Sequence, residues 1–326
     1  MTKILVTSFL TGSGMDALKD SFHVTHPEKG QRYKRDQLLT IIPKFHGILV
    51  AGGILDAEII RAAKNLKIIS VFGAGYDNIN VEEASKRNIM VANAPDSVTE
   101  ATAEFTLGLM LNVMRNISVR DRWLRNNPGA GWGMLMKEGQ NLIGKTLGIV
   151  GLGRIGKAVA KRALVFGMKV VYYKRHPLSG QEEKGLGVSY LPLDDLLKNA
   201  DVVSLNLPLT KESRHLIGQR ELNLMKSSAF LINTARGGII DEGALVRHLQ
   251  MGKIAGAGLD VFENEPKIPN ALLKLDNVVL TPHIGTATPE IRVQVSNEAC
   301  KNIIDFFDGK IPVSVVNPEV IKNIKG

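Results

Sequence analysis

Short apolar runs alternate along the chain with segments in which apolar residues recur at helical spacing. Runs of Ile, Val and Leu are typical of buried strands, and the stretches between them are typical of amphipathic helices. Such alternation predicts parallel sheets covered by helices on both faces, and therefore an α/β fold. The predicted strands are Ile4–Val6, Gly47–Val50, Ile68–Val71, Ile89–Val91, Leu147–Val150, Lys169–Tyr173, Val202–Leu205, Phe230–Ile232, Ala257–Leu259 and Val278–Leu280.

Two long helical patterns divide these strands into two series. One pattern covers about Thr99–Ile117 and the other about Pro289–Phe307. The length of 326 residues also favours two domains. We expect one domain at 99–289 and a discontinuous domain at 1–98 and 290–326, with a ligand-binding cleft between them.

Composition narrows the class of protein. An apolar share of 44% supports folded cores, and the single cysteine, Cys300, excludes an internal disulfide and favours a reducing compartment. Because no apolar run approaches the ~20 residues of a membrane span, we expect a cytoplasmic protein without membrane contact. The net charge of +9 suggests anionic partners, but no nucleic-acid-binding motif accompanies it. We therefore expect neither nucleic acid nor a bound metal.

A glycine-rich turn follows the fifth predicted strand. Gly151, Gly153 and Gly156 have the spacing that allows a sharp bend, close approach of a pyrophosphate, and packing of the next helix against the strand. The N–H groups at the start of that helix would face the phosphates. A similar run at Gly12–Ala17 also follows a strand, but the short strand and delayed helix favour a plain turn there.

The residues after the next strand bear on the choice of cofactor. NAD-binding sites usually place Asp or Glu there, whereas this chain has Lys174, Arg175 and His176 after Tyr173. Two cations at this position favour NADP(H), with NAD(H) as the alternative, although a solvated basic turn would look the same. Residues 139–181 hold eight Lys or Arg and no Asp or Glu, so most of the net charge lies in this strand-helix-strand segment.

Arg236, Glu265 and His283 each lie shortly after a predicted strand. Carboxyl ends of parallel strands share one edge of a sheet, so the three side chains are expected to converge. A guanidinium binds a carboxylate and polarises a carbonyl, a histidine delivers a proton, and a carboxylate orients the ring and favours the imidazolium. Taken singly they could be a surface cation, a turn carboxylate and a loop histidine. Together they predict hydride transfer to a carbonyl.

Six motifs are spread over nearly the whole chain: Gly73–Asp77, Thr99–Glu104, Gly151–Gly156, Asn233–Gly237, Gly258–Pro266 and Pro282-His283. On these motifs the chain resembles the D-isomer-specific 2-hydroxyacid dehydrogenase family. The resemblance implies a Rossmann nucleotide-binding domain and a flavodoxin-like substrate domain, each a doubly wound parallel sheet. It also implies reduction of a small 2-oxo acid to the D-2-hydroxy acid, with Arg236, Glu265 and His283 as catalytic residues.

The resemblance further implies binding residues and an assembly. The family is usually homodimeric, with the region of Thr99–Pro128 at the interface. Many NAD-using members have Asp where this chain has Lys174. The implied substrate contacts are Gly52, Gly53, Ala74, Gly75, Arg236 and His283. The implied cofactor contacts are Gly151, Gly153, Arg154, Ile155, Gly156, Lys174, Arg175, Leu207, Pro208, Ser213, Thr234, Ala235, Arg236, Asp260 and His283.

A second class of function shares this fold. Transcriptional corepressors that bind a dinucleotide resemble the enzymes and retain the Arg-Glu-His set, so the fold alone does not separate them. Such a protein would sense the dinucleotide and bind a protein partner. The sequence lacks long disordered flanks, which favours the enzyme.

Overall fold

The computed structural model describes residues 1–129, 133 and 138–324. The chain forms two compact units, which we call the first unit (Met1–Val98 with Thr286–Gly326) and the second unit (Thr99–Gly285). The first unit resumes at Thr286, a few residues before position 290, where the sequence prediction places this boundary. Thr288 caps the following helix by accepting a hydrogen bond from the N–H of Ile291, so the short approach to that helix belongs to the first unit.

The described residues form two sheets in which all paired strands are parallel. The strands are β1 Lys3–Val6, β2 His23–Thr25, β3 Gly47–Val50, β4 Ile68–Val71, β5 Met90–Ala92, β6 Thr146–Val150, β7 Lys169–Tyr173, β8 Val188–Tyr190, β9 Val202–Leu205, β10 Phe230–Asn233, β11 Gly256–Leu259 and β12 Val278–Leu280. Their order is β2-β1-β3-β4-β5 in the first unit and β12-β11-β10-β9-β6-β7-β8 in the second. The predicted α/β class with two parallel sheets is confirmed.

Helices connect most of these strands. They are α1 Ser13–Ser21, α2 Arg35–Ile41, α3 Ala57–Ala62, α4 Val81–Lys86, α5 Thr99–Met114, α6 Ile117–Asn126, α7 Arg154–Val165, α8 Gly180–Leu186, α9 Leu193–Asn199, α10 Gln219–Leu224, α11 Glu242–Gln250, α12 Asn270–Leu273, α13 Pro289–Phe307 and α14 Ile321–Ile324. Short 3-10 helices cover Ile42–Lys44, Gly237–Ile239 and Pro318–Val320. Within the described ranges, no helix is both long and apolar enough to cross a membrane.

The two faces of β6 show how each sheet is covered. Leu147 and Ile149 point into one buried cluster with side chains of α5 and α7, whereas Val150 packs into a second cluster with α9. Gly148 lies on the α9 face, where an added Cβ would come within 2.5 Å of Leu196 Cδ2. The apolar run of this strand is continuous because both of its faces are buried.

The structure differs from the sequence prediction in two short strands and in a break within one predicted helix. β2 and β8 are missing from the prediction because they are edge strands with partly exposed residues and therefore lack a continuous apolar run. The helix predicted over Thr99–Ile117 ends at Met114, and a new helix, α6, begins after Asn116. Asn116 has a φ of 56°, a left-handed conformation that asparagine tolerates better than most residues.

Helix α13 packs within the first unit. Its Cys300 is buried in a cluster with Ile4 of β1, and this burial raises the pKa of the thiol to about 11. The run Gly12–Ala17, near the start of the chain, packs against α13. A Cβ on Gly14 would come within 2.6 Å of the Asn297 backbone, and the Gly14 N–H donates to Asn297 Oδ1 at 2.7 Å. Helix packing therefore accounts for this glycine.

Candidate active site

The glycine turn after β6 lies where the strand order of the second sheet reverses direction. β6 pairs with β7 on one side and with β9 on the other, and β10, β11 and β12 continue outward from β9. Open α/β sheets bind ligands outside the carboxyl ends of their strands at such a point. Gly151, directly after β6, and Leu207 and Pro208, shortly after β9, flank this position.

The three glycines of the turn differ in what surrounds them. A Cβ on Gly151, whose φ is 97°, would lie 2.6 Å from the carbonyl oxygen of Asn206, and one on Gly156 would lie 2.3 Å from that of Gly151. Gly153 has no atom within 4 Å of the same position. No side chain caps the start of α7, which carries Arg154 and Ile155 in its first turn. The chain is therefore tightly packed at Gly151 and Gly156. The open space at Gly153 and the uncapped start of the helix fit a bound pyrophosphate.

A buried polar atom at this edge also fits a ligand. Among the described residues, Asn206 Oδ1 is buried without a hydrogen-bond partner, while its Nδ2 donates to the carbonyl oxygen and the hydroxyl of Ser204 at 3.2 and 3.0 Å. An unsatisfied buried acceptor costs about 1–3 kcal/mol, so a donor on a bound dinucleotide would stabilise it. The sequence prediction omits Asn206. A polar residue directly after the fully buried run Val202–Leu205 was the available signal.

The turn after β7 carries the predicted cofactor-selecting cations. Lys174 is half-buried and Arg175 is exposed. Nearby, hydrogen bonds from Ser179 hold the pKa of Glu182 below its usual value, and the charges of Lys157 and Lys174 add to this effect. The turn after β7 thus supplies two cations and no carboxylate of its own.

The other predicted cofactor contacts of the second unit brace their own loops. The buried hydroxyl of Ser213 donates to the carbonyl oxygen of Pro208 at 2.8 Å. Thr234 and Ala235 follow β10, and the N–H of Ala235 donates to Asn233 Oδ1 at 3.0 Å. These bonds fix the loops that border the glycine turn. The contacts of these residues with a cofactor stay predictions.

His283 and Glu265 form a hydrogen-bonded pair. His283 Nδ1 lies 3.0 Å from Glu265 Oε2, and Glu265 Oε1 accepts the Phe262 N–H at 3.0 Å. Burial alone would raise the pKa of Glu265, but these bonds and the nearby charge of Arg236 together hold it below its usual value. An ionised carboxylate only accepts hydrogen bonds, so Nδ1 of His283 donates and the opposite ring nitrogen, Nε2, is left for a reacting group.

Arg236 and Glu265 are brought together by a glycine. A Cβ on Gly237 would lie 1.9 Å from the carbonyl carbon of Phe262, so only glycine permits the loop that bears Glu265 to approach so closely. Arg236 Nη1 donates to the carbonyl oxygen of Ala235 at 2.7 Å. The structure therefore brings all three predicted catalytic residues to one edge of the second unit.

Asp260 braces the loop that carries His283. One of its carboxylate oxygens accepts the Thr281 hydroxyl at 2.7 Å and the Ile284 N–H at 2.8 Å, and the other accepts the Gly285 N–H at 2.9 Å. Its carbonyl oxygen accepts the His283 N–H at 2.8 Å. These bonds hold His283 at a φ of 53°, a left-handed conformation. The predicted contact of Asp260 with a cofactor stays a prediction.

The predicted substrate residues of the first unit also follow strands. Gly52 and Gly53 come shortly after β3, with φ of 83° and 87°. A Cβ on Gly52 would meet the guanidinium of Arg32 at 3.3 Å, whereas one on Gly53 would have no atom within 4 Å. Ala74 and Gly75 follow β4, and the carbonyl oxygen of Ala74 accepts a hydrogen bond from an asparagine side chain at 2.7 Å. Gly53 therefore borders open space.

Comparison with known proteins establishes the family. Residues 107–285 match the profile described as D-isomer specific 2-hydroxyacid dehydrogenase, NAD binding domain. A glyoxylate reductase of Thermococcus litoralis is 49% identical over 271 residues, which cover 82% of each chain. This chain is an NAD(P)-dependent oxidoreductase. It belongs to the D-isomer specific 2-hydroxyacid dehydrogenase family, as its motifs predict.

Two crystal structures extend the similarity to the fold. A glyoxylate reductase from Paecilomyes thermophila has a TM-score of 0.88 at 34% identity, covering 98% of this chain and 99% of that one. An NADPH-dependent glyoxylate/hydroxypyruvate reductase from Sinorhizobium meliloti, in complex with NADP and malonate, has a TM-score of 0.84 at 34% identity, covering 97% and 96%. These matches give no support to the alternative of an interaction protein.

The close approach at Gly237 predicts a specific mutational effect. Gly237→Ala should displace the loop that bears Glu265, and a misplacement of about 1 Å is expected to lower kcat about 100-fold. Gly238→Ala is the matched control, because its Cβ would meet only the ends of two flexible side chains, Leu209 at 3.2 Å and Arg214 at 3.5 Å. Steady-state kinetics of both variants, with melting temperatures measured in parallel, provide the check. Equal kcat values for the two folded variants would contradict the prediction.

Proposed function

We propose that the protein reduces a short 2-oxo acid, such as glyoxylate or hydroxypyruvate, to the D-2-hydroxy acid, with NADPH as the preferred cofactor. The observation that carries the proposal is the pairing of His283 Nδ1 with Glu265 Oε2 at 3.0 Å, beside Arg236. The names of the similar reductases support the substrate class. In this proposal the second unit binds the dinucleotide and the first unit contributes to substrate binding.

Each catalytic side chain has a separate task. A nicotinamide cofactor, when bound, supplies hydride to the carbonyl carbon. Arg236 binds the substrate carboxylate and polarises the carbonyl oxygen. His283 donates a proton from Nε2 to that oxygen, and Glu265 orients the ring and stabilises its charged form. In the oxidative direction His283 accepts the proton from the hydroxyl group.

The first unit would add backbone donors and space. We assign the N–H groups of Ala74 and Gly75 to the substrate carboxylate, as the family resemblance implies. The open space at Gly53 supports substrates larger than glyoxylate. Hydroxypyruvate, which adds a hydroxymethyl group, is consistent with that space.

The preference for NADPH rests on charge. Lys174 and Arg175 stand at the ribose end of the predicted dinucleotide site, where an NAD-binding site would have a carboxylate. Residues 139–181 hold eight Lys or Arg and no Asp or Glu. Arg162 is paired with Glu100 at 2.7 Å, and the remaining cations of this segment favour a dinucleotide that carries an additional phosphate. The similar Sinorhizobium meliloti enzyme is described as NADPH-dependent.

We also propose a homodimer that uses α6. This helix has no buried residue, and Ile117 and Leu124 expose 53% and 45% of their surface. A helix that is nowhere buried and exposes two large apolar side chains favours contact with a protein partner. Sedimentation equilibrium should give twice the mass of the 35.5 kDa chain. A monomer at micromolar concentration would contradict this assembly.

The proposed reaction predicts the effect of His283→Ala. The unmodified protein should oxidise NADPH with at least one of glyoxylate, hydroxypyruvate and pyruvate. Loss of the proton donor should lower kcat about 100- to 10,000-fold while the Kd for NADPH, measured by fluorescence titration, changes less than about threefold. His248→Asn, at a buried histidine of α11, is the control for general effects of histidine loss.

The kinetics of the unmodified protein and of His283→Ala test the reaction and the proton-donor role separately. Absence of turnover with every 2-oxo acid tested would refute the proposed function. Equal losses in kcat and in NADPH affinity for His283→Ala would refute the proton-donor role.

The cofactor preference predicts the effect of a charge reversal. The double variant Lys174→Asp with Arg175→Ala removes two cations from the proposed phosphate site and supplies a carboxylate for a ribose hydroxyl. The ratio of kcat/KM for NADPH to that for NADH should fall about 10- to 100-fold. Lys169→Asp, at the opposite end of β7, is the matched control. An unchanged ratio in the double variant would show that the two cations are only solvated surface charges.

A further inference from the structure

A buried tyrosine holds the turn that carries Lys174 and Arg175. Tyr172, near the end of β7, has no exposed surface. Its hydroxyl accepts the Leu178 N–H at 2.7 Å and donates to Glu183 Oε1 at 2.8 Å. One hydroxyl therefore connects the strand before the turn with the residue that ends the turn and with α8.

The carboxylate of Glu183 extends this connection to a third element. The oxygen that accepts the Tyr172 hydroxyl also accepts the N–H of Tyr190 in β8 at 3.1 Å. The rings of Tyr172 and Tyr190 pack edge to face, with centroids 5.7 Å apart. These hydrogen bonds and the ring contact thus join β7, α8 and β8, and none of these three elements carries a proposed catalytic residue.

The far end of the turn is fixed as well. Ser179 caps α8: its N–H donates to Glu182 Oε2 at 3.0 Å, and its hydroxyl accepts the Glu182 N–H at 3.3 Å. Leu178 packs against the apolar core of the second unit. Between these anchored ends, Arg175 and His176 are exposed to solvent.

The Tyr172 hydroxyl uses its donor and its acceptor at the same time. Burial raises the pKa of Tyr172, the Leu178 N–H lowers it, and Glu183 raises it, with the net shift upward. The hydroxyl therefore keeps its proton near neutrality and donates it to Glu183, while a lone pair accepts the Leu178 N–H. Phenylalanine can do neither, although it would keep the packing of the ring.

We propose that Tyr172 is a positioning residue for cofactor selection, whose hydroxyl fixes residues 174–178 so that Lys174 and Arg175 are preset to meet the 2′-phosphate of NADP. This inference rests on the NADPH preference proposed above. Two long cationic side chains on a loose turn would lose more conformational entropy when they bind the phosphate. NADH lacks that phosphate, so its binding depends much less on the order of the turn.

The experiment compares Tyr172→Phe with Tyr190→Phe. Hydrogen exchange of the Leu178 amide is measured without cofactor, and the Kd values of NADPH and NADH are measured by fluorescence titration. Tyr172→Phe should speed exchange at Leu178, raise the Kd of NADPH about 3- to 10-fold and change that of NADH less than about twofold. Tyr190→Phe keeps the Tyr172 hydroxyl and should match the unmodified protein in all three measurements.

A third variant separates anchoring from charge. Glu183→Gln keeps an oxygen that accepts from Tyr172 and Tyr190 but removes the negative charge. Slow exchange at Leu178 and an unchanged ratio of the two Kd values are expected. A loss of preference for NADPH with Leu178 still protected would show that charge, rather than the anchor, sets selectivity, and would overturn the proposal.

Two further outcomes would overturn it. Unchanged exchange at Leu178 in Tyr172→Phe would show that the hydroxyl does not hold the turn, and equal weakening of both cofactors would show a purely structural role. The double variant of Lys174 and Arg175 is titrated in parallel. If that variant loses the preference and Tyr172→Phe keeps it, the positioning role fails alone. If the double variant keeps the preference, the proposed NADPH selectivity fails and the role of Tyr172 in selection fails with it.

Discussion

The ionised carboxylate of Glu265, held between the ring of His283 and the N–H of Phe262, is the interaction on which the catalytic edge depends. Burial raises its pKa, but the two hydrogen bonds and the nearby positive charge together hold that pKa below its usual value, so the carboxylate keeps its charge beside Arg236. The three predicted catalytic residues follow β10, β11 and β12, which are neighbours in the second sheet. Parallel pairing places their carboxyl ends at one edge, and the absence of a side chain at Gly237 lets two of the loops touch.

Much of the proposed site is built by side chains that need not take part in the chemistry. Asp260 uses both carboxylate oxygens to fix the His283 loop, and Ser213 fixes the loop after β9. At the cofactor end, the hydroxyl of Tyr172 holds the turn of Lys174 in the same way. In each case a buried polar group satisfies backbone N–H or C=O groups of a loop. Loops anchored like this hold their exposed side chains in fixed positions without strands or helices.

The fold follows closely from the apolar pattern, and its exceptions have physical causes. Strands buried on both faces, such as Gly47–Val50 and Val202–Leu205, have continuous apolar runs and were predicted at the residues observed. The edge strands β2 and β8 lack such runs because their residues are partly exposed, whereas the other two edge strands, β5 and β12, are largely buried and apolar. The break at Asn116 depends on one left-handed residue, which the periodicity of a helix does not reveal.

The sequence by itself determined the alternation of buried strands with helices, the glycine turn at Gly151, and the family to which the chain belongs, because these features depend on residues close together along the chain. Only the tertiary structure decided that His283 and Glu265, 18 residues apart, form a hydrogen bond, and that a hydroxyl within β7 holds the turn beyond it. Those contacts join separate loops and strands. Their formation depends on how the sheet packs and on which buried polar groups need partners, and neither is encoded in a local pattern.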